Sequence, residues 1–230
     1  MDTGLIAIIA AIIVACVAVI LMAIRLQRLA EEKRARKLHQ VADELGLEFW
    51  PHGDALLLSS LGGFRLFSQG HSKRVSNLLR GSSGGREVDI FEYRYTTGSG
   101  KSTHHWRQSV IRFRLDGAAL PAFSLRPEHV WHKIGAWFGY QDIDFDAYPA
   151  FSRKYLLRGN DENAIRDLFT NEVLAYYEQH AGLSTEGAGD TLLFYRHSRR
   201  VPPEKLRGFI EEGLKVLTLF CPQAEERSAS

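Results

Sequence analysis

Four groups of residues have types and spacings suited to chemistry. Gly98-Ser99-Gly100-Lys101-Ser102 ends like a phosphate-binding loop. The nucleotide motif G-x-x-x-x-G-K-[ST] puts its first glycine at position 95, which here is Tyr95. It also needs a helix after the loop, so that helical N–H groups face the phosphates. The β-rich run WRQSVIRF follows instead. A hairpin loop accounts for the glycines and serines, and no nucleotide is expected.

Asp142, Asp144 and Asp146 are spaced two apart. In an extended segment they share a face and could gather Ca²⁺ or Mg²⁺. An EF-hand is excluded, because its required Gly and Glu fall on Ala147 and Arg153. The other reading packs Ile143 and Phe145 inward and leaves three solvated acids paired with nearby arginine.

Arg107, Arg112 and Arg114, with Arg94 on the neighbouring strand, form a candidate basic sheet surface interleaved with Trp106, Phe113 and Tyr93. Arginines beside aromatics bind single-stranded nucleic acid or phosphorylated ligands. The other reading is a solvated face opposed by acids such as Asp89 and Glu92. The candidate ligand-binding residues are Arg94, Trp106, Arg107, Arg112 and Arg114. Two histidine pairs complete the set. His104 and His105 are adjacent, so a strand points them to opposite faces. His129 and His132 share a helix face, but two ligands do not close a zinc site. No G-x-S-x-G is present, and neither cysteine sits beside a histidine.

The elements that must position these groups begin with the strongest signal in the chain. Leu5 to Ile24 is twenty residues without a charge or a proline. A helix of that length spans ~30 Å, the thickness of a bilayer's hydrocarbon core. A signal peptide would have a basic start and a shorter apolar core. Ile13-Val14-Ala15-Cys16 loosely resembles a lipobox, but the apolar run continues past it. Residues 1–24 are therefore expected to be an uncleaved transmembrane anchor. Arg25, Arg28, Lys33, Arg34, Arg36 and Lys37 follow it, and only Asp2 precedes it. The positive-inside rule places the N-terminus outside and the C-terminal side in the cytoplasm, which predicts a single-pass inner-membrane protein. Two cysteines in 230 residues exclude a disulfide scaffold.

Residues 25–40 continue a helical pattern, either as one helix entering the domain or with a break at Glu31–Lys37. Gly46 is a natural stop. Residues 41–222 are expected to form one soluble domain, and 223–230 a disordered tail. Leu47–Trp50, Phe64–Ser68, Val75–Arg80, Val88–Tyr95, Trp106–Leu115, Ala122–Leu125 and Arg153–Arg158 read as strands, and Ala55–Leu61 is ambiguous. Helices are expected over Pro127–Phe138, from Asn160 or Asp161 through Phe169, on to His180, and after Pro202-Pro203. Leu183–Glu186 and Thr191–Arg196 read as a hairpin across Gly187-Ala188-Gly189-Asp190. The fold class is α+β: one N-terminal transmembrane helix, then a mostly antiparallel sheet domain with packed helices. Residues 1–40 hold six basic and three acidic side chains, and the rest 23 and 24. The folded part is thus no bulk-charge nucleic-acid binder.

The stretches FRLFSQGHSKRVSNLLRG, FEYRYTTGSGK, LPAFSLRPE, YQDIDFD and FSRKYLLRG resemble an uncharacterised bacterial family. Its members pair one N-terminal membrane helix with a soluble α+β domain. The resemblance implies topology and fold but no activity, cofactor or site. Membrane lipid and a protein are the expected partners, nucleic acid is not, and no cofactor is expected. The functional expectation is a membrane-anchored protein with a cytoplasmic partner- or ligand-binding domain. Its alternative is a membrane-tethered metal-dependent hydrolase using Asp142, Asp144 and Asp146.

Overall fold

The computed structural model describes residues 3–83, 86–115, 117, 119–128 and 142–222. Helix α1 (Thr3–Leu45) runs unbroken for 43 residues, about 65 Å at helical rise. It does not break at Glu31–Lys37. Its N-terminal portion is long and apolar enough to cross a membrane, and among the described residues that stretch is exposed. Gly46, at φ +67°, ends it. Leu47 N–H donates to the Ala42 carbonyl and Gly46 N–H to that of Asp43, which satisfies carbonyls the helix leaves open.

Among the described residues eight strands follow in one sheet: β1 (Glu48–Trp50), β2 (His71–Ser83), β3 (Arg86–Thr97), β4 (His104–Arg114), β5 (Leu120–Pro127), β6 (Tyr155–Gly159), β7 (Ser184–Gly189) and β8 (Thr191–Tyr195). The order is β1-β2-β3-β4-β8-β7-β5-β6. Every pairing is antiparallel. The expected α+β class is the observed one.

Alternation along the strands builds two apolar layers. On one face Val88, Ile90, Ile111 and Phe113 meet Leu38 and Ala42 of α1 and Phe209, Val216 and Phe220 of the C-terminal helix. On the other, Phe91, Tyr93, Tyr95 and Val110 meet Leu57, Leu61, Leu66 and Phe67. Among the described residues the further α-helices are α2 (Ala55–Ser60), α3 (Arg65–Ser68), α4 (Pro149–Lys154), α5 (Glu162–Leu168) and α6 (Asn171–Gln179) between strands, and α7 (Leu206–Phe220) after the last strand. Gly213 lets α7 lie close on the sheet, since a Cβ there would come within 2.8 Å of Ile111.

Several boundaries differ from expectation for physical reasons. Ala55–Ser60 is helical because Asp54 caps it, accepting from Leu56 N–H at 2.8 Å. Arg65–Ser68 is a helical turn and not a strand. Its own cap position, Phe64, offers no side-chain acceptor, and the Glu186 carboxylate, 120 residues on, accepts from Leu66 N–H at 3.1 Å. Arg153 and Lys154 finish α4, so β6 begins only at Tyr155. In the β7–β8 hairpin Gly187 is not turn but strand. A Cβ there would meet the Phe123 ring at 2.3 Å, so close packing requires glycine. Asp161 caps α5 through Ala164 N–H, and Thr170 caps α6. The expected helix over Pro127–Phe138 falls largely outside the described residues, as do His129, His132 and the 223–230 tail.

Candidate functional site

The last third of α1 lies on the sheet through Glu31, Arg34, Leu38 and Ala42, spaced three and four apart on one helix face. The apolar pair packs on the core, and the charged pair meets Glu92 of β3 and Arg200 of the β8–α7 loop. Arg34 Nε donates to Glu92 Oε1 at 2.5 Å, and Arg34 Nη2 to the Val201 carbonyl at 2.6 Å. Arg200 forks onto Glu31 at 2.8 and 2.7 Å and reaches Glu92 Oε2 at 2.6 Å. Asn77 Nδ2 also donates to Glu92 Oε2, at 2.9 Å. Asn77 can do so because β2 bulges there, with φ +49°. Ser109 holds the loop by donating its N–H to the Arg199 carbonyl and accepting from Val201 N–H.

This lattice sets its own electrostatics. The hydrogen bonds from Arg200 hold the Glu31 carboxyl below its ordinary range, against partial burial. Burial alone would lower Arg200, but the bonds from Glu31 and Glu92 outweigh it and raise it. Glu31 is therefore tied as a carboxylate, and Glu92 accepts hydrogen bonds from both Arg34 and Arg200.

Beside the lattice, between α1 and the strands, opens a cleft of about 390 Å³. Its floor carries an arginine row. Arg74 of β2 lies opposite Arg94 of β3, and Arg94 opposite Arg107 of β4. Strand spacing puts the outer two Cα atoms roughly 10 Å apart. All three are exposed and line the cleft with Glu31, Pro51 and His52. Arg107 pairs with Glu31 at 3.2 Å. Arg74 and Arg94 make no ion pair among the described residues. Like charges directly opposite each other destabilise a sheet, so the row is a standing electrostatic debt that a bound anion would relieve.

The structure divides the sequence-derived basic set. Arg94 and Arg107 share the cleft. Arg112 and Arg114, an odd number of residues from Arg107, lie on the opposite face. Arg112 pairs with Asp89 at 3.1 Å, and Arg114 with Glu87 and Asp190, both at 3.3 Å. Trp106 is also on that far face, packed on His197 at 4.9 Å and bonded to Thr97. Arg74 is the member the sequence reading omits. A strand begun at Val75 excludes it, and only the register with Arg94 reveals it.

Asp142, Asp144 and Asp146 lie in an irregular segment. Asp142 bonds Arg158 Nε at 2.5 Å, the Asp144 carbonyl accepts from Arg166, and Asp146 is exposed. Ile143 is buried between them. Among the described residues no three His, Cys, Asp or Glu side chains converge as metal ligands. Gly98–Ser102 forms the β3–β4 hairpin turn and leads into a strand. Gly98 is required there: φ is +76°, and a Cβ would collide with the Ser102 carbonyl.

A second polar cluster lies under α3. Glu186, 1% exposed, accepts from Arg126 Nη2 and from the Tyr195 hydroxyl, both at 2.6 Å. Burial pushes the Tyr195 hydroxyl well above its ordinary pKa, which keeps it a donor.

No family model and no curated protein matches this chain. Among solved structures it is similar in fold to the crystal structure of the mycobacterial trehalose monomycolate transport factor A, TtfA. The TM-score is 0.59 at 13% identity, covering 81% of this chain and 91% of that one.

Proposed function

We propose that the chain is a single-pass inner-membrane protein whose cytoplasmic domain binds a phosphate-bearing lipid headgroup in the cleft between α1 and the sheet. The arginine row Arg74–Arg94–Arg107 carries this reading. Guanidinium groups match phosphate geometry, and two of the three lack a carboxylate partner among the described residues. Placement supports it as well. Glu31, at the cleft, is seven residues beyond Ile24, the last residue of the apolar run. That is roughly 10 Å along a helix, the scale of the headgroup layer. The similar fold of TtfA, a trehalose monomycolate transport factor, supports a role at the membrane. The basic flank after Ile24 supports the cytoplasmic orientation.

The full-length protein in neutral detergent is expected to bind glycerol 3-phosphate and short-chain phosphatidylglycerol saturably, and glycerol not at all. Calorimetry is the measurement. Tighter binding of the lipid than of glycerol 3-phosphate identifies a headgroup with its glyceride, and equal binding identifies a free phosphate ligand. Arg74→Ala with Arg94→Ala should weaken binding about tenfold or more. Binding unaffected by the double variant, or none to either anion, rejects the reading. A reporter fused after Ser230 should be reachable only from the cytoplasm.

A further inference from the structure

We propose that the sheet end carrying the β3–β4 turn lies against the anionic headgroup layer, so that the domain is docked on the membrane and not held away from it. This rests on α1 spanning the bilayer, as proposed above, but concerns a surface outside the cleft.

The direction of the strands carries the argument. Leu38 lies beside Ile90 and Ser109, Arg34 bonds Glu92, and Glu31 bonds Arg107, whose neighbour across the strands is Arg94. As α1 is followed back toward its apolar run, β3 is followed forward toward its turn. The two elements therefore climb together. From Arg94 to Gly98 is four residues of strand, about 13 Å. From Glu31 back to Ile24 is seven residues of helix, about 10 Å. The turn at Gly98–Ser102 thus reaches the level at which the apolar run begins.

The chemistry of that end fits headgroups. Lys101 at the turn is exposed and makes no ion pair among the described residues. At the far end of the same strands Arg112 and Arg114 are both neutralised by Glu87, Asp89 and Asp190. An uncompensated cation thus stands at the near end. The turn is tight and polar, with Ser102 N–H donating to the Ser99 carbonyl and Thr103 Oγ1 to that of Gly100. It carries no apolar side chain to bury in hydrocarbon. The contact is electrostatic and superficial, with each cation near an anionic leaflet worth roughly fivefold in affinity.

Hydrogen exchange of the full chain in lipid nanodiscs tests this. Exchange across Thr97–His104 should slow several-fold in discs containing phosphatidylglycerol relative to pure phosphatidylcholine, and high salt should abolish the difference. Lys101→Glu should also abolish it and leave thermal melting unchanged. Lys101 does not line the cleft, so glycerol 3-phosphate binding should persist in that variant. Equal exchange in the two bilayers overturns the docking, as does a difference that survives the charge reversal. Protection at the turn in a protein whose cleft binds no phosphate would leave docking standing and reject only the cleft.

Discussion

Glu92 and Glu186 are both buried strand residues bonded to arginine, yet their surroundings differ. Glu186 is closed in: Arg126, Tyr195 and the first turn of α3 occupy its oxygens, and water has no access. Glu92 joins three parts of the chain, α1, β2 and the β8–α7 loop, beside an open cleft whose arginines are incompletely paired. A buried charge pair whose carboxylate is enclosed on all sides by its own donors is structural. The same chemistry at an open joint with cations to spare is where the proposed phosphate ligand would sit.

The comparison can be broken at either carboxylate. Glu186→Ala should have the largest effect. It strands Arg126, itself 8% exposed, as a buried charge and removes the cap of α3. The expected loss is about 3–5 kcal/mol, a fall in Tm of roughly 10 °C or more by calorimetry. Glu92→Ala should cost less, about 2 kcal/mol, because Arg34 and Arg200 keep some access to water. Its signature is local: faster hydrogen exchange in α1 around Glu31–Leu38. Arg74→Ala with Arg94→Ala should leave stability within about 0.5 kcal/mol, measured by thermal melting, while weakening phosphate binding about tenfold or more. Acid should have the smallest effect. Glu31 has its pKa depressed from 4.5 by Arg200. Its contribution is complete above that value and is lost as pH falls through the lower folded one. Exchange in the Glu31 turn should quicken in that window before the domain melts.

Much of this was legible from local signals. The apolar run, the Gly46 stop, the Asp161 and Thr170 caps and the long β3–β4 pair are set by neighbours in sequence. Arg94 and Arg107 were found because they lie in strands with clear alternation. What was hidden depends on distant partners. Helix α3 is capped by a residue 120 positions away. Arg34 meets Glu92 across 58 positions, and Arg200 meets Glu31 across 169. Arg74 precedes the clearly alternating part of β2, where a register shift masks the pattern. Arg112 and Arg114 share strand β4 with Arg107, but their odd spacing from it turns them to the opposite face, where Asp89, Glu87 and Asp190 pair with them.

The unbroken course of α1 has one last consequence. A helix continuous from Thr3 to Leu45 and bolted to the sheet by Glu31 and Arg34 has no hinge at which lean could be absorbed. Spans longer than the local hydrocarbon adjust by tilting. With α1 spanning a bilayer as proposed, thinning that bilayer would rotate the whole sheet with the rod, making its attitude a mechanical reporter of membrane thickness.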